Sequence, residues 1–334
     1  MFETTDFQSL FSRFSNQRVL VIGDVMIDTY LWGKVGRVSP EAPVPIVSGV
    51  IDENRLGGAA NVALNVKAMG AVPILCSVIG GDERGKLFLE LMEEQNLSDI
   101  GLIVDDHRVT TQKTRIISGS QHLLRVDEEM ESFLSGKIQN QFMELISSLL
   151  ESGGINAIIL QDYDKGVLAP GVISRVIQLA GQVSVPVLVD PKFRSFDLYR
   201  KIRLLKPNYK ELARGLNLDL QKHEAEEIAK AMILHQQKQE IDILLVTLSE
   251  QGIIVTRDGA WDHIPAISRE IADVSGAGDT VISVASLCLL AGLDAAATAV
   301  IANLAGGQVC EKAGVVPVNA EKLLSECIHH FKSS

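Results

Sequence analysis

Short runs of β-branched and aliphatic residues recur along this chain with helix-length stretches between them, and that alternation confines the fold more than any other feature. The runs at 18–22, 73–79, 157–160, 185–189 and 243–247 hold apolar residues at consecutive positions rather than only at every second one. Strands written that way are buried on both faces, as in a parallel sheet covered by helices on either side. The intervening segments 59–69, closed by Gly70, then 83–94, 136–150, 170–180 and 223–235 have helical composition and periodicity. The predicted class is α/β: a mainly parallel central sheet between two helical layers.

Two segments break the rhythm, 30–55 with its SPEAPVPIV and 105–127 with TTQKTRIIS and QHLLRVD. Their prolines and alternating character suit short, partly exposed strands, placed here in a small β-sheet projecting from the body. Such an insert can act as a lid or be ordinary surface hairpins, and periodicity alone favours neither. At 334 residues the expectation is one domain, 1–334, carrying both inserts.

The net charge of −11, with no block of Lys and Arg, argues against a nucleic-acid partner and for a small molecule. Cys76, Cys288, Cys310 and Cys327 are far apart and form no CxxC pair, so neither a zinc site nor a disulfide framework is expected. The opening MFETTDFQSLFSRF lacks the form of a secretory leader, and the apolar stretch 281–293 is shorter than the roughly 20 residues of a membrane span. A cytoplasmic protein with no membrane partner is the expectation.

The chemistry concentrates in Asp273-Val274-Ser275-Gly276-Ala277-Gly278-Asp279-Thr280, which runs directly into the apolar helical stretch from Val281. Glycines flanking a small residue at a helix start let backbone N–H groups point outward, and the helix end adds partial positive charge. Gly276, Ala277 and Gly278 thus outline an anion hole. Asp279, in the first turn beside it, can take the proton of an attacking hydroxyl.

Other stretches place polar groups where open α/β sheets bind ligands. Leu56-Gly57-Gly58-Ala59-Ala60-Asn61 opens a helix, the glycines allowing close backbone approach and Asn61 both donating and accepting hydrogen bonds. Asp24 and Asp28 follow the first strand; either carboxylate can grip hydroxyls, and Asp24 can instead cap the loop. Asn208 and Glu211, three apart, have the spacing of a helix capping box as well as that of a phosphate-side motif. Thr247, Ser249 and Gly252 follow another strand. No GxGxxG follows the first strand, which argues against a dinucleotide-dependent oxidoreductase.

DVSGAGDT resembles the C-terminal motif of the ribokinase-type (PfkB) carbohydrate kinases, and the other motifs appear in that family's order from about residue 18 to 318. The resemblance implies a ribokinase-like α/β/α body with a β-sheet lid, ATP and Mg²⁺ as cofactors, and room for a monovalent cation. It makes Asp279 the catalytic base beside the Gly276–Gly278 hole, with Asp28, Gly57, Gly58 and Asn61 binding the sugar. Asn208 and Glu211 resemble N-x-x-E, which implies that Glu211 meets Mg²⁺ through water. Thr247, Ser249 and Gly252 resemble the nucleotide loop T-x-G-x-x-G, with Ser249 in place of the first glycine, and Asn303 matches a position near the adenine.

Segments such as GDVMIDTYLWG, RVSPEAPVPIV, QDYDKGVLAP and VLVDPKF resemble, more narrowly, the family's kinases for D-glycero-D-manno-heptose 7-phosphate. A phosphorylated acceptor needs cations, and Lys113, Arg115, Arg125, Lys165 and Lys192 are the candidates, with Asp162 of the DYDKG stretch beside them. Lys192 leads them, being at the ligand end of the sheet. The family also implies a homodimer paired through the lid. Rival expectations are a kinase for a free sugar or fructose phosphate, and a non-catalytic binding relative.

Overall fold

The computed structural model describes residues 6–119, 121–219 and 221–333. Helix α1 (Phe7–Phe14) leads to β1 (Arg18–Gly23), and a long hairpin of β2 (Val25–Val38) and β3 (Pro45–Gly58) returns the chain to α2 (Ala59–Ala68). Next come β4 (Val72–Gly80), α3 (Glu83–Glu94), β5 (Gly101–Asp105) and a second hairpin, β6 (Gln112–Ser118) with β7 (Gln121–Glu128). The chain continues through α4 (Gly136–Glu151), β8 (Ala157–Gln161), α5 (Pro170–Gln182), β9 (Val187–Asp190) and β10 (Leu204–Leu205). Helices α6 (Tyr209–Gly215) and α7 (Ala225–Gln239), strand β11 (Ile243–Thr247) and the edge hairpin β12 (Ile253–Arg257) and β13 (Ala260–Ile264) follow. Three helices close the chain: α8 (Ala277–Leu290), α9 (Ala295–Val309) and α10 (Ala320–Ser333).

The main sheet has the order β13-β12-β11-β10-β9-β8-β1-β4-β5. From β11 to β5 every pairing is parallel, and β12 alone runs the other way, antiparallel to both β11 and β13. Strand order moves outward in both directions from the β1–β8 pair, so the topological switch point lies between them. A ligand crevice belongs there, beyond the carboxyl ends of the strands. Successive side chains of β1 serve two cores: Val19 and Val21 pack with α1, α2, α8 and α9, while Leu20 and Ile22 pack with α4, α5 and α7. That double burial is the physical content of the consecutive apolar runs.

A second sheet, β3-β2-β6-β7, is built from the two segments that break the βα rhythm. Its central pair, β2 with β6, is parallel, and the outer pairs are antiparallel. The strands reach further into the body than expected: β2 starts at Val25 and β3 ends at Gly58, so Asp28, Gly57 and Gly58 are lid-strand residues rather than loop residues. Asp105 belongs instead to β5 of the main sheet.

The expected strand at 185–189 forms as Val187–Asp190, and the helix at 223–235 as Ala225–Gln239. β5 and the β12–β13 hairpin were not anticipated; they are short strands toward the sheet edges. Helix α9 carries no amphipathic stripe because AAATAVIANLAGGQV is small and buried nearly all round. All four cysteines are free and buried, and among the described residues no helix is long and apolar enough to cross a membrane.

Candidate active site

Helix α8 begins at the ligand end of the sheet. Gly276 caps it in the left-handed region, φ 79°, and a Cβ there would lie 2.9 Å from Nδ2 of Asn61, so two constraints call for glycine. Asp273 braces the approach: its Oδ1 accepts from the amide and hydroxyl of Ser275, and its Oδ2 from the amide of Gly314. The amides of Ala277 and Thr280 turn back onto Val274 and Gly276. Among the described residues the amides of Gly278 and Asp279 have no such acceptor, which leaves them for an outside anion.

Asp279 is 3% exposed and held by three donors. Oδ2 accepts from Asn61 Nδ2 at 2.8 Å, and Oδ1 accepts from the Tyr163 hydroxyl at 2.7 Å and Gln161 Nε2 at 3.1 Å. Burial raises its pKa from 3.8 to about 7; the carboxylate of Asp190 pushes the same way, while Asn61, Tyr163 and Lys206 pull it down. A carboxyl poised there can take a proton at neutral pH. Gln161 also donates to Asp190 Oδ2 at 3.0 Å, and Asp190 Oδ1 pairs with the buried ammonium of Lys206 at 3.0 Å. A Cβ on Gly278 would lie 3.3 Å from that ammonium, which sets Lys206 beside the anion hole.

Toward the lid, Asp28 pairs with Arg115 Nη1 at 2.5 Å, and the guanidinium lies 5.3 Å from the Tyr30 ring centroid. Gly57 makes room for this carboxylate, since a Cβ at 57 would stand 2.1 Å from Asp28 Oδ2. Asn61 reaches Asp279 from the first turn of α2 and accepts from Asn65 through Oδ1. Asp24 takes the loop-capping alternative: its oxygens accept from the amides of Tyr163, Lys165 and Val167.

The candidate cations divide. Nζ of Lys192 and Lys113 lie 5.0 and 5.9 Å from the Tyr163 ring centroid, next to Asp279. Burial disfavours the Lys192 ammonium, yet Asp190 and Glu211 outweigh it and raise its pKa; for Lys113 burial prevails over Glu129 and Asp127, and its pKa falls. Lys165 is already matched by Glu129 and Glu131 at 2.8 and 2.9 Å. Arg125 is exposed and paired with Asp127 two residues along β7. Asp162 spends its oxygens on the Tyr199 hydroxyl and the Asp164 amide, and burial, then Asp24, raises its pKa to about 7.

On the other side of Gly278 lies a cleft of about 780 Å³ whose walls include Thr247, Ser249, Gly252, Ala277, Gly278 and Asn303. Ser249 has φ 57°, the left-handed region, which is the physical reason a glycine suits that position. Asn303 lines the cleft, although its Nδ2 donates to Pro265 O at 2.9 Å. Asn208 and Glu211 form the capping box of α6, at 3.0 and 2.9 Å, while the other oxygen of Glu211 pairs with Lys192. Among the described residues no three His, Cys, Asp or Glu side chains cluster to hold a metal. Each Glu211 oxygen has one acceptor position beyond its present donor, so water-mediated contact with a phosphate-bound Mg²⁺ fits this donor set.

Four residues of this site escaped the sequence reading: Gln161, Tyr163, Asp190 and Lys206. Gln161 ends β8, Asp190 ends β9 and Lys206 follows β10, so polar residues closing successive buried strands were the available signal.

Solved structures share this architecture. Phosphofructokinase-2 from Escherichia coli, in complex with substrates and products, superposes with a TM-score of 0.76 at 17% identity, covering 93% of this chain and 99% of that one. Arabidopsis thaliana ribokinase, complexed with ribose and ATP, gives 0.69 at 18% identity, covering 92% and 98%. At such identities the likeness is one of fold. The "Bifunctional protein HldE" of Citrifermentans bemidjiense is 39% identical over 99% of this chain and 68% of its own length. That of Helicobacter pylori strain G27 is 38% identical over 92% of this chain and 65% of its own. The chain thus spans about two thirds of these relatives.

Ribokinase-like layers and kinship with the carbohydrate kinases make the chain a phosphotransferase with an alcohol group as acceptor. The model of the pfkB family carbohydrate kinases matches residues 16–322. The chain belongs to that family and is a sugar kinase.

Proposed function

We propose that this kinase transfers the γ-phosphoryl group of ATP to the anomeric hydroxyl of D-glycero-D-manno-heptose 7-phosphate. The product would be the 1,7-bisphosphate, a precursor of ADP-heptose and of the lipopolysaccharide core. The observation that carries the reading is the convergence of Lys113 and Lys192 on Tyr163, beside Asp279: cations gather on the acceptor side, where a phosphorylated sugar needs them. Support also comes from the heptose-kinase-like segments and from identity to HldE proteins over nearly the whole chain.

In this reading Asp28 and Asn61 orient the sugar hydroxyls, and Asp279 takes the proton of the attacking hydroxyl. The amides of Gly278 and Asp279 receive the charge of the migrating phosphoryl group, the Ala277 amide of the expected hole being spent on Val274; the loose transition state asks mainly for alignment and neutralisation. Thr247, Ser249, Gly252 and Asn303 hold the nucleotide. Mg²⁺, held by Asn208 and Glu211 through water, would offset phosphate charge. The enzyme acts as one domain in the cytoplasm, and exposed lid side chains such as Ile51, Val38 and Leu124 favour a lid-to-lid homodimer.

The test is phosphorylation of heptose 7-phosphate against ribose, fructose and fructose 6-phosphate with ATP. The heptose phosphate should have the highest kcat/KM. Preference for a free sugar, with the heptose phosphate ignored, would overturn the assignment in favour of another kinase of the family.

A further inference from the structure

A carboxylate offers about four acceptor positions, two on each oxygen. On Asp279 both positions of Oδ1 are taken, by Tyr163 and Gln161, and one position of Oδ2 is taken by Asn61. A single position is left, and it is on Oδ2. Gln161 cannot turn its amide over, because the same Nε2 serves Asp190 and inversion would set Oε1 against two carboxylates.

Tyr163 is fixed as firmly. Its amide donates to Asp24 Oδ2 at 3.0 Å, and the same carboxylate ties down Lys165 and Val167. The two ammonium groups near its ring, Lys113 from the lid and Lys192 from the body, draw on the π density and strengthen the hydroxyl as a donor.

We propose that Tyr163 is a positioning residue for phosphoryl transfer: with Gln161 it fills Oδ1 of Asp279 and so directs the acceptor's proton to Oδ2. This rests on the reading of Asp279 as the base. The acceptor O–H bond breaks and its proton moves to Oδ2. The acceptor oxygen bonds to the γ-phosphorus, and the bond from that phosphorus to the bridging oxygen breaks with its electron pair leaving on ADP. Tyr163 keeps its own proton throughout, since burial, then the charge of Asp279, holds its phenol well above the ordinary value. The charged and titratable groups around the pair are Asp190, Lys206, Lys192 and Lys113, with Asp28 facing Tyr163 from the lid.

The experiment compares wild type, Tyr163→Phe, site-specific fluorotyrosine at 163, and Asp279→Asn. Rates are measured from pH 5.5 to 9 with ATP and whichever of heptose 7-phosphate, ribose, fructose or fructose 6-phosphate is turned over. Tyr163→Phe removes a donor to the ionised carboxylate, so the acidic limb of kcat/KM should move up by about one unit and kcat should fall about tenfold. The KM for ATP should stay within about twofold. Fluorotyrosine keeps the ring and fold but donates more strongly, and should move the limb down. The same opposed shifts should appear without turnover, in the pH dependence of thermal unfolding. Limbs and unfolding profiles that coincide with wild type in both variants sink the inference, as does a uniform loss of kcat with no shift. Full turnover by Asp279→Asn would instead sink the base reading, a separate outcome.

Discussion

Replacing Asp279 by asparagine should stabilise the fold while it slows turnover, and the gain should depend on pH. The folded carboxyl titrates at about 7 against an ordinary 3.8. Between those values the folded state holds a proton that the unfolded chain has lost, so stability falls as pH rises through the window, and the full cost stands above about 7. Three units at roughly 1.4 kcal/mol each make that cost about 4 kcal/mol. Asparagine is uncharged and escapes it, but not freely. Three donors face the carboxylate, and the new amide can accept from Tyr163 and Gln161 only by turning its NH₂ toward Nδ2 of Asn61. One opposed donor pair costs about 2 kcal/mol, which leaves a net gain of about 2 kcal/mol at pH 8. For a chain of this length that is a rise in Tm of about 3 °C. Calorimetry at pH 5 and 8 checks it: the advantage over wild type should appear at pH 8 and vanish or reverse at pH 5. Turnover should fall by roughly 10²-fold or more. A Tm difference that is the same at both pH values would refute the reasoning, because the cost of a buried charge cannot persist once that charge is protonated.

Gly57→Ala puts a methyl group where Oδ2 of Asp28 now sits, so the KM for the sugar should rise at least about tenfold while the KM for ATP holds; steady-state kinetics with each substrate varied decides it. Ser249→Gly relieves a left-handed serine and should stabilise the protein by about 0.5–1 kcal/mol in urea titration, with ATP binding equal or tighter. Lys206→Met leaves Asp190 buried without its cation and should cost about 3–5 kcal/mol, read as a lower urea midpoint at unchanged m-value.

Much of the architecture is written locally. Runs such as AIIL and ILLVT declare strands buried on both faces, and GAGD before an apolar helix declares a cap whose amides face outward; each is a property of a few neighbouring residues. Capping chemistry is local too, and so the Asn208–Glu211 box could be weighed from spacing alone. The same locality explains what was out of reach. Of five candidate cations, two flank Tyr163, one is matched by two glutamates, one is exposed and one is locked onto Asp28. Nothing within a few residues of any of them distinguishes these fates.

By itself, then, the sequence determined the layered sheet, the break in rhythm that becomes the second sheet, and the acid in the first turn of a glycine-capped helix, because hydrophobic period and backbone freedom act over short stretches. Only the tertiary structure decided the company Asp279 keeps. Gln161 and Tyr163 lie more than a hundred residues from it in the chain, and Asn61 more than two hundred. They meet because the carboxyl end of β8 and the first turns of α2 and α8 converge at one end of the sheet, and burial there, against the pull of those hydrogen bonds, brings an ordinary aspartate near neutral pH.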